Sequence, residues 1–124
     1  RMRRALSSAA RVDWSVVRVV AHAGGRQLIA AQSFAAGEQL FAWTGKVQRQ
    51  STMHTLQVGR EAHLAPHPEE PEPPWIFMPH SFEPTVNITQ QLIDDGRDVM
   101  LAATSLVDMS EGDPVAFDYT LHEW

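Results

Sequence analysis

The chain reads as short apolar runs, several rich in β-branched residues, each stopped by a glycine turn. "WSVVRVV" (14–20) ends at "AHAGG", "RQLIAAQSF" (26–34) at "AAG", and "EQLFAW" (38–43) at Thr44–Gly45. "HTLQVG" (54–59), "WIFM" (75–78), "TVNI" (85–88), "DVMLAA" (98–103) and "PVAFDY" (114–119) follow. Turn signals at intervals of about ten residues, without a 3.6-residue period, predict a mostly-β domain of short strands. Pro114 stands at a strand start, where its missing N–H costs least. One short helix or turn is expected around 89–94.

Two stretches are alike. "SFAAGEQLFA" (33–42) and "DMSEGDPVAF" (108–117) share an apolar residue, small or polar residues, a glycine, an acid and then alternation. Each reads as a turn feeding a strand, with Gly37 and Gly112 supplying backbone freedom; two unrelated hairpins would also give this pattern. Residues 66–84 hold seven of the eight prolines and the acidic "EEPE" (69–72). The Pro-rich acidic part, 66–74, is expected to be an extended surface loop, either a solvated connector or a substrate-facing insert. "RMRRALSSAARV" is basic and rich in Ser and Ala, and Met2 behind Arg1 reads as a native start after a tag remnant. Residues 1–13 are therefore expected to be a flexible N-terminus and 14–124 a single domain.

Composition narrows the functions. A chain of 124 residues has room for one core. It has no cysteine, which excludes disulfides and Cys-based zinc or iron–sulfur sites and fits a cytoplasmic location. A formal net charge of −5 argues against direct nucleic-acid binding and favours a basic partner. No apolar stretch is long enough to span a membrane. His63 and His67 have the spacing of two ligands on one helical face, but Pro66 lies between them, so no metal site is expected. His80–Ser81 lacks a nucleophile elbow, and Gly24–Gly25 is too little for a phosphate loop.

Several segments, in order, resemble a SET domain, the fold of many protein-lysine methyltransferases. "GGRQLIAAQSFAAGEQLFAWTGKV" (24–47) is similar to the family opening: a glycine-rich turn, L-F-A, I-x-x-G-E-x-I, then aromatic-x-Gly. "PHSFEPTV" (79–86) resembles N-H-S-C-x-P-N-V, and "SLVDMSEGDPVAFDY" (105–119) resembles I-x-x-G-E-E-L-T-F-D-Y. The resemblance spans roughly residues 15–124. It implies a SET-domain-like (β-clip) fold of short twisted sheets with a knot-like C-terminal crossing that brings "PHSF" and "FDY" together.

The same resemblance implies an S-adenosylmethionine-dependent lysine methyltransferase acting on a basic, lysine-containing protein or peptide. Tyr119 matches the tyrosine at the methyl-transfer pore, and Phe117 and Trp43 match walls of the substrate channel. Gly25, Arg26, Gln27, His80, Ser81 and Trp124 fall where the family binds cofactor. Four positions depart from the pattern: Gln27 replaces a glycine, Pro79 and Thr85 replace asparagines, and Phe82 replaces a cysteine. Pro79 has neither an amide side chain nor an N–H. A catalytically degenerate SET-like domain that binds a peptide or protein is therefore the second reading.

Overall fold

The computed structural model describes residues 12–93 and 98–118; most of the expected flexible N-terminus lies outside them. Among these residues eight strands are formed: β1 (Val17–His22), β2 (Gly25–Ala30), β3 (Gln39–Thr44), β4 (Lys46–Gln48), β5 (Leu56–Gly59), β6 (Ala62–Ala65), β7 (Val86–Ile93) and β8 (Asp98–Ser105). They make three small antiparallel sheets, β1-β2, β3-β8-β7 and β4-β6-β5. Two single 3-10 turns, Trp14–Val16 and Pro74–Phe77, are the helical elements among the described residues.

Local chemistry explains most boundaries. Asp13 caps the first 3-10 turn: its carboxylate accepts from the Ser15 hydroxyl and, at 3.1 Å, from the Ser15 amide, and these bonds hold it below the usual carboxylate range. β1 and β2 are joined by Ala23–Gly24, both at positive φ (48° and 84°), as a tight hairpin with right-handed strand twist demands. β8 is the central strand of its sheet and buries Val99, Leu101, Ala103 and Ser105, a clean period of two. An aromatic row crosses the core from Trp14 to Phe41 (4.9 Å), Trp43 (5.2 Å) and Trp75 (5.6 Å, stacked).

The two similar stretches build the same turn. Ala35–Glu38 and Ser110–Asp113 each close with a backbone bond of 3.0 Å from the acid's N–H to the first residue's carbonyl. In each, the acid's carboxylate accepts from that first residue's N–H, at 2.9 Å for Glu38 and 2.8 Å for Asp113. In each, the glycine takes a positive φ, 91° at Gly37 and 96° at Gly112, as that turn requires of its third residue. The turns also meet: Phe34 and Met109 exchange backbone bonds of 3.0 and 2.8 Å. Ser105, buried at the end of β8, fastens the first turn by accepting from Glu38 N–H and donating to the Ala35 carbonyl.

Several sequence expectations are corrected. "WIFM" (75–78) is not a strand, because Pro73 and Pro74 start a 3-10 turn closed by bonds from Ile76 to Pro73 and from Met78 to Trp75. The short helix expected at 89–94 is absent through Ile93; these residues extend β7, which pairs along its length with β8. β4 and β6 were not expected. The stretch 114–118 is not a regular strand but makes single bridges at Pro114 and Phe117. The Pro-rich loop exposes Glu69 and Glu72, while Pro73 is fully buried.

Candidate active site

The segment 113–117 lies between two partners distant in sequence. On one side it follows β2: Ala30 N–H donates to Asp113 O (2.8 Å) and Val115 N–H to Leu28 O (3.0 Å). On the other it meets 79–86: Phe117 N–H donates to Pro79 O (3.2 Å), Ser81 N–H to Phe117 O (2.9 Å), and Thr85 N–H to Ala116 O (2.9 Å). His80 and Phe117 thus form a parallel bridge. This juxtaposes the two motifs that the SET resemblance places together.

Thr85 is the clasp of this crossing. Its hydroxyl donates to Pro114 O (2.7 Å) and accepts from Ala116 N–H (3.0 Å), while its carbonyl accepts from Leu106 N–H (2.8 Å). Thr85→Val keeps the shape and removes the hydroxyl, leaving a buried N–H and a carbonyl short of partners. It is expected to cost about 1–3 kcal/mol, read as a lower urea midpoint at unchanged m. A midpoint equal to the parent's would mean water takes over both bonds.

A cleft opens beside the crossing, lined by Met53, His54, Thr55, Leu56, Trp75, Ile76, Met78 and Phe117. The wall side chains are mostly aromatic, aliphatic and thioether, with polar side chains at 54 and 55, while the surface open to the cleft is mainly polar. Trp43 does not line this cleft. It is 2% exposed and stacks behind Trp75, and its Nε1–H has no hydrogen-bond partner among the described residues. Trp75, Met78 and the 53–56 stretch were not singled out from the sequence. Only the apolar "WIFM" beside the proline-rich loop marked part of this wall, and nothing marked 53–56.

The other expected residues divide. Gly25 and Arg26 are exposed, and Gln27 half-buried, at the start of β2. The Arg26 guanidinium lies 4.4 Å above the Phe77 ring, and its Nη1 is 3.7 Å from Glu72. Phe77 in turn meets His54 edge-on. Arg26 and the cleft therefore share the Pro74–Phe77 turn as a wall. His80 Nδ1 lies 4.0 Å from Asp118, and its ring packs edge-on against Phe82, which is 76% exposed. Ser81 Oγ accepts from Glu83 N–H. Tyr119 and Trp124 lie outside the described residues.

These groups fit one end of S-adenosylmethionine. Arg26 presents a planar cation to a carboxylate, and the Cβ space at Gly25 is open, with the nearest atom, His22 O, at 3.9 Å. Pro79 offers little: its single polar group, the carbonyl, is taken by Phe117 N–H. Among the described residues no three His, Asp or Glu group as a metal site would require, and no helix is long and apolar enough to cross a membrane.

The fold is a mostly-β, SET-like arrangement of small open sheets, here with the parallel contact between 79–81 and 117 at its C-terminal end. It is similar to a solved structure of a Plasmodium falciparum protein to which histone methyltransferase activity is ascribed. The TM-score is 0.62 at 14% identity, over 83% of this chain and 91% of that one. No family model matches the sequence, and no curated protein does. The likeness is thus one of fold.

Proposed function

We propose that this chain is an S-adenosylmethionine-dependent protein-lysine N-methyltransferase of SET type, with an altered cofactor-binding motif. One observation carries the reading: Phe117 is bonded to both Pro79 and Ser81 at the crossing and at the same time lines the aromatic cleft. The bound cofactor would supply an electrophilic methyl group. Everything else required is positioning and desolvation, which a small β-domain can provide.

A lysine amine must arrive neutral, although its free pKa is about 10.4. Desolvation beside Trp75, Ile76, Met78 and Phe117 would disfavour the ammonium, and the cleft, about 20 Å³ here, would have to widen to take the aliphatic stem. Tyr119, directly after Asp118, would orient the amine with its hydroxyl. Phe117 and, behind Trp75, Trp43 shape the channel. Gly25, Arg26, Gln27, His80, Ser81 and Trp124 would hold the cofactor. The exposed Glu69 and Glu72 suit a basic lysine-containing peptide.

The second reading, a peptide- or protein-binding module without catalysis, is favoured by Pro79, whose carbonyl is already engaged. Titration calorimetry with S-adenosylmethionine and S-adenosylhomocysteine, with and without a basic lysine peptide, separates the two. Saturable micromolar binding and transfer of labelled methyl to the peptide is the expected result. Peptide binding with neither nucleoside bound at millimolar concentration would establish the module instead.

A further inference from the structure

Met53 stands where the fold has no use for it. It lies in a tight turn, Thr52–Thr55, that its flanking threonines close. Thr55 N–H donates to Thr52 O (3.3 Å), Thr52 N–H to Thr55 Oγ1 (3.0 Å), Thr55 Oγ1 to Thr52 O (3.1 Å) and His54 N–H to Thr52 Oγ1 (3.2 Å). The Met53 side chain takes part in none of these bonds, and a turn tip ordinarily carries a polar residue. Yet Met53 is 83% exposed, and it lines the cleft with Trp75, Ile76 and Phe117. Met78 and Met109 are buried packing residues, and Met100 is half-buried.

The turn therefore displays one apolar side chain at the rim of the cleft and holds its backbone in place. A contact alone would be served as well by leucine. What methionine adds is a sulfur that an oxidant can reach. The chain has no cysteine to react in its place.

We infer that Met53 is an oxidation site that controls binding at the cleft. Hydrogen peroxide transfers one oxygen atom to Sδ: the O–O bond breaks, an S–O bond forms, the thioether is oxidised to the sulfoxide and the peroxide leaves as water. The sulfoxide puts a hydrated acceptor where the rim was apolar, so an apolar side chain beside the target lysine loses its contact. Methionine sulfoxide reductase reverses the step, which gives the rim two states. That the contact belongs to a lysine peptide rests on the methyltransferase reading; the place of oxidation does not.

The test treats the whole chain with hydrogen peroxide and follows each methionine by peptide mass spectrometry. Met53 should gain one oxygen, about 16 Da, ahead of Met78, Met100 and Met109. A short labelled peptide with one lysine between leucine and arginine residues then reports binding by fluorescence anisotropy. Oxidation should weaken it about fivefold, as expected for one lost apolar contact, and the reductase should restore it. Met53→Leu should bind like the parent and ignore peroxide. Met53→Gln should bind like the oxidised parent without treatment. If Met78, Met100 or Met109 oxidises as early as Met53, the site is wrong. If Met53 oxidises and affinity is unchanged, or if Met53→Leu loses affinity in peroxide as the parent does, the control of the cleft is wrong. If the untreated parent does not bind the peptide, the peptide reading fails and the control falls with it, while the order of oxidation still decides whether Met53 is the site.

Discussion

Tyr119→Phe is expected to lower methyl transfer by about a hundredfold or more, with cofactor affinity and thermal midpoint unchanged. The substitution removes one hydroxyl and nothing else. In the proposed reaction that hydroxyl orients a neutral amine whose lone pair must lie along the methyl's axis. Losing one preorganised polar group of this kind costs about 10²–10³ in turnover. Single-turnover transfer to a lysine peptide, run beside calorimetry, is the appropriate measurement, because the loss should fall in the chemical step alone. Unchanged turnover would remove Tyr119 from the mechanism. Tyr119 is the chain's single tyrosine, so its phenol signal can be followed without interference from another.

The largest stability effect should come from Gly45→Ala. Gly45 sits between the end of β3 and the start of β4, where the chain passes from one sheet to another. A Cβ there would collide with the Ala65 carbonyl oxygen and come within 2.9 Å of Leu64 Cγ. Neither neighbour can yield cheaply. Ala65 is paired with Lys46 in the β4–β6 ladder, and Leu64 is fully buried. Overpacking against backbone of this kind is expected to cost about 3 kcal/mol, a fall of about 10 °C in thermal midpoint. A shift below about 3 °C would mean that the β3–β4 junction can slide without disturbing β6.

The resemblance to SET domains placed "PHSF" and "FDY" together, and the bonds of Pro79 and Ser81 to Phe117 do meet there. The likeness of 33–42 and 108–117 was also legible, down to the acid that follows each glycine, because that acid's carboxylate closes its own turn. What the sequence hid was context. "AHLA" (62–65) has no β-branched residue, and it becomes β6 because β4 and β5 flank it. "WIFM" has strand composition, yet the two prolines before it set the backbone first. The cleft was the least legible part. Its wall comes from 53–56, from a 3-10 turn and from Phe117, three segments with no common spacing. Trp43 looked like a wall residue, but both stacked indoles are buried and Trp75 is the one that lines the cleft.

The clasped segment 113–117 also governs when this molecule can fold. Leu28 and Ala30, in the first hairpin, find outer backbone partners in Gly112, Asp113 and Val115, most of the chain later. Pro79 and Ser81 likewise wait for Phe117. In chain order, therefore, the β1–β2 hairpin and the "PHSF" turn both precede the segment that bonds to each of them. Contacts so distant in sequence make for slow folding, since the loop entropy must be met before any bond rewards it. Without 113–117 the outer edge of β2 at Leu28 and Ala30 lacks these ladder partners, and an open strand edge favours pairing with other chains.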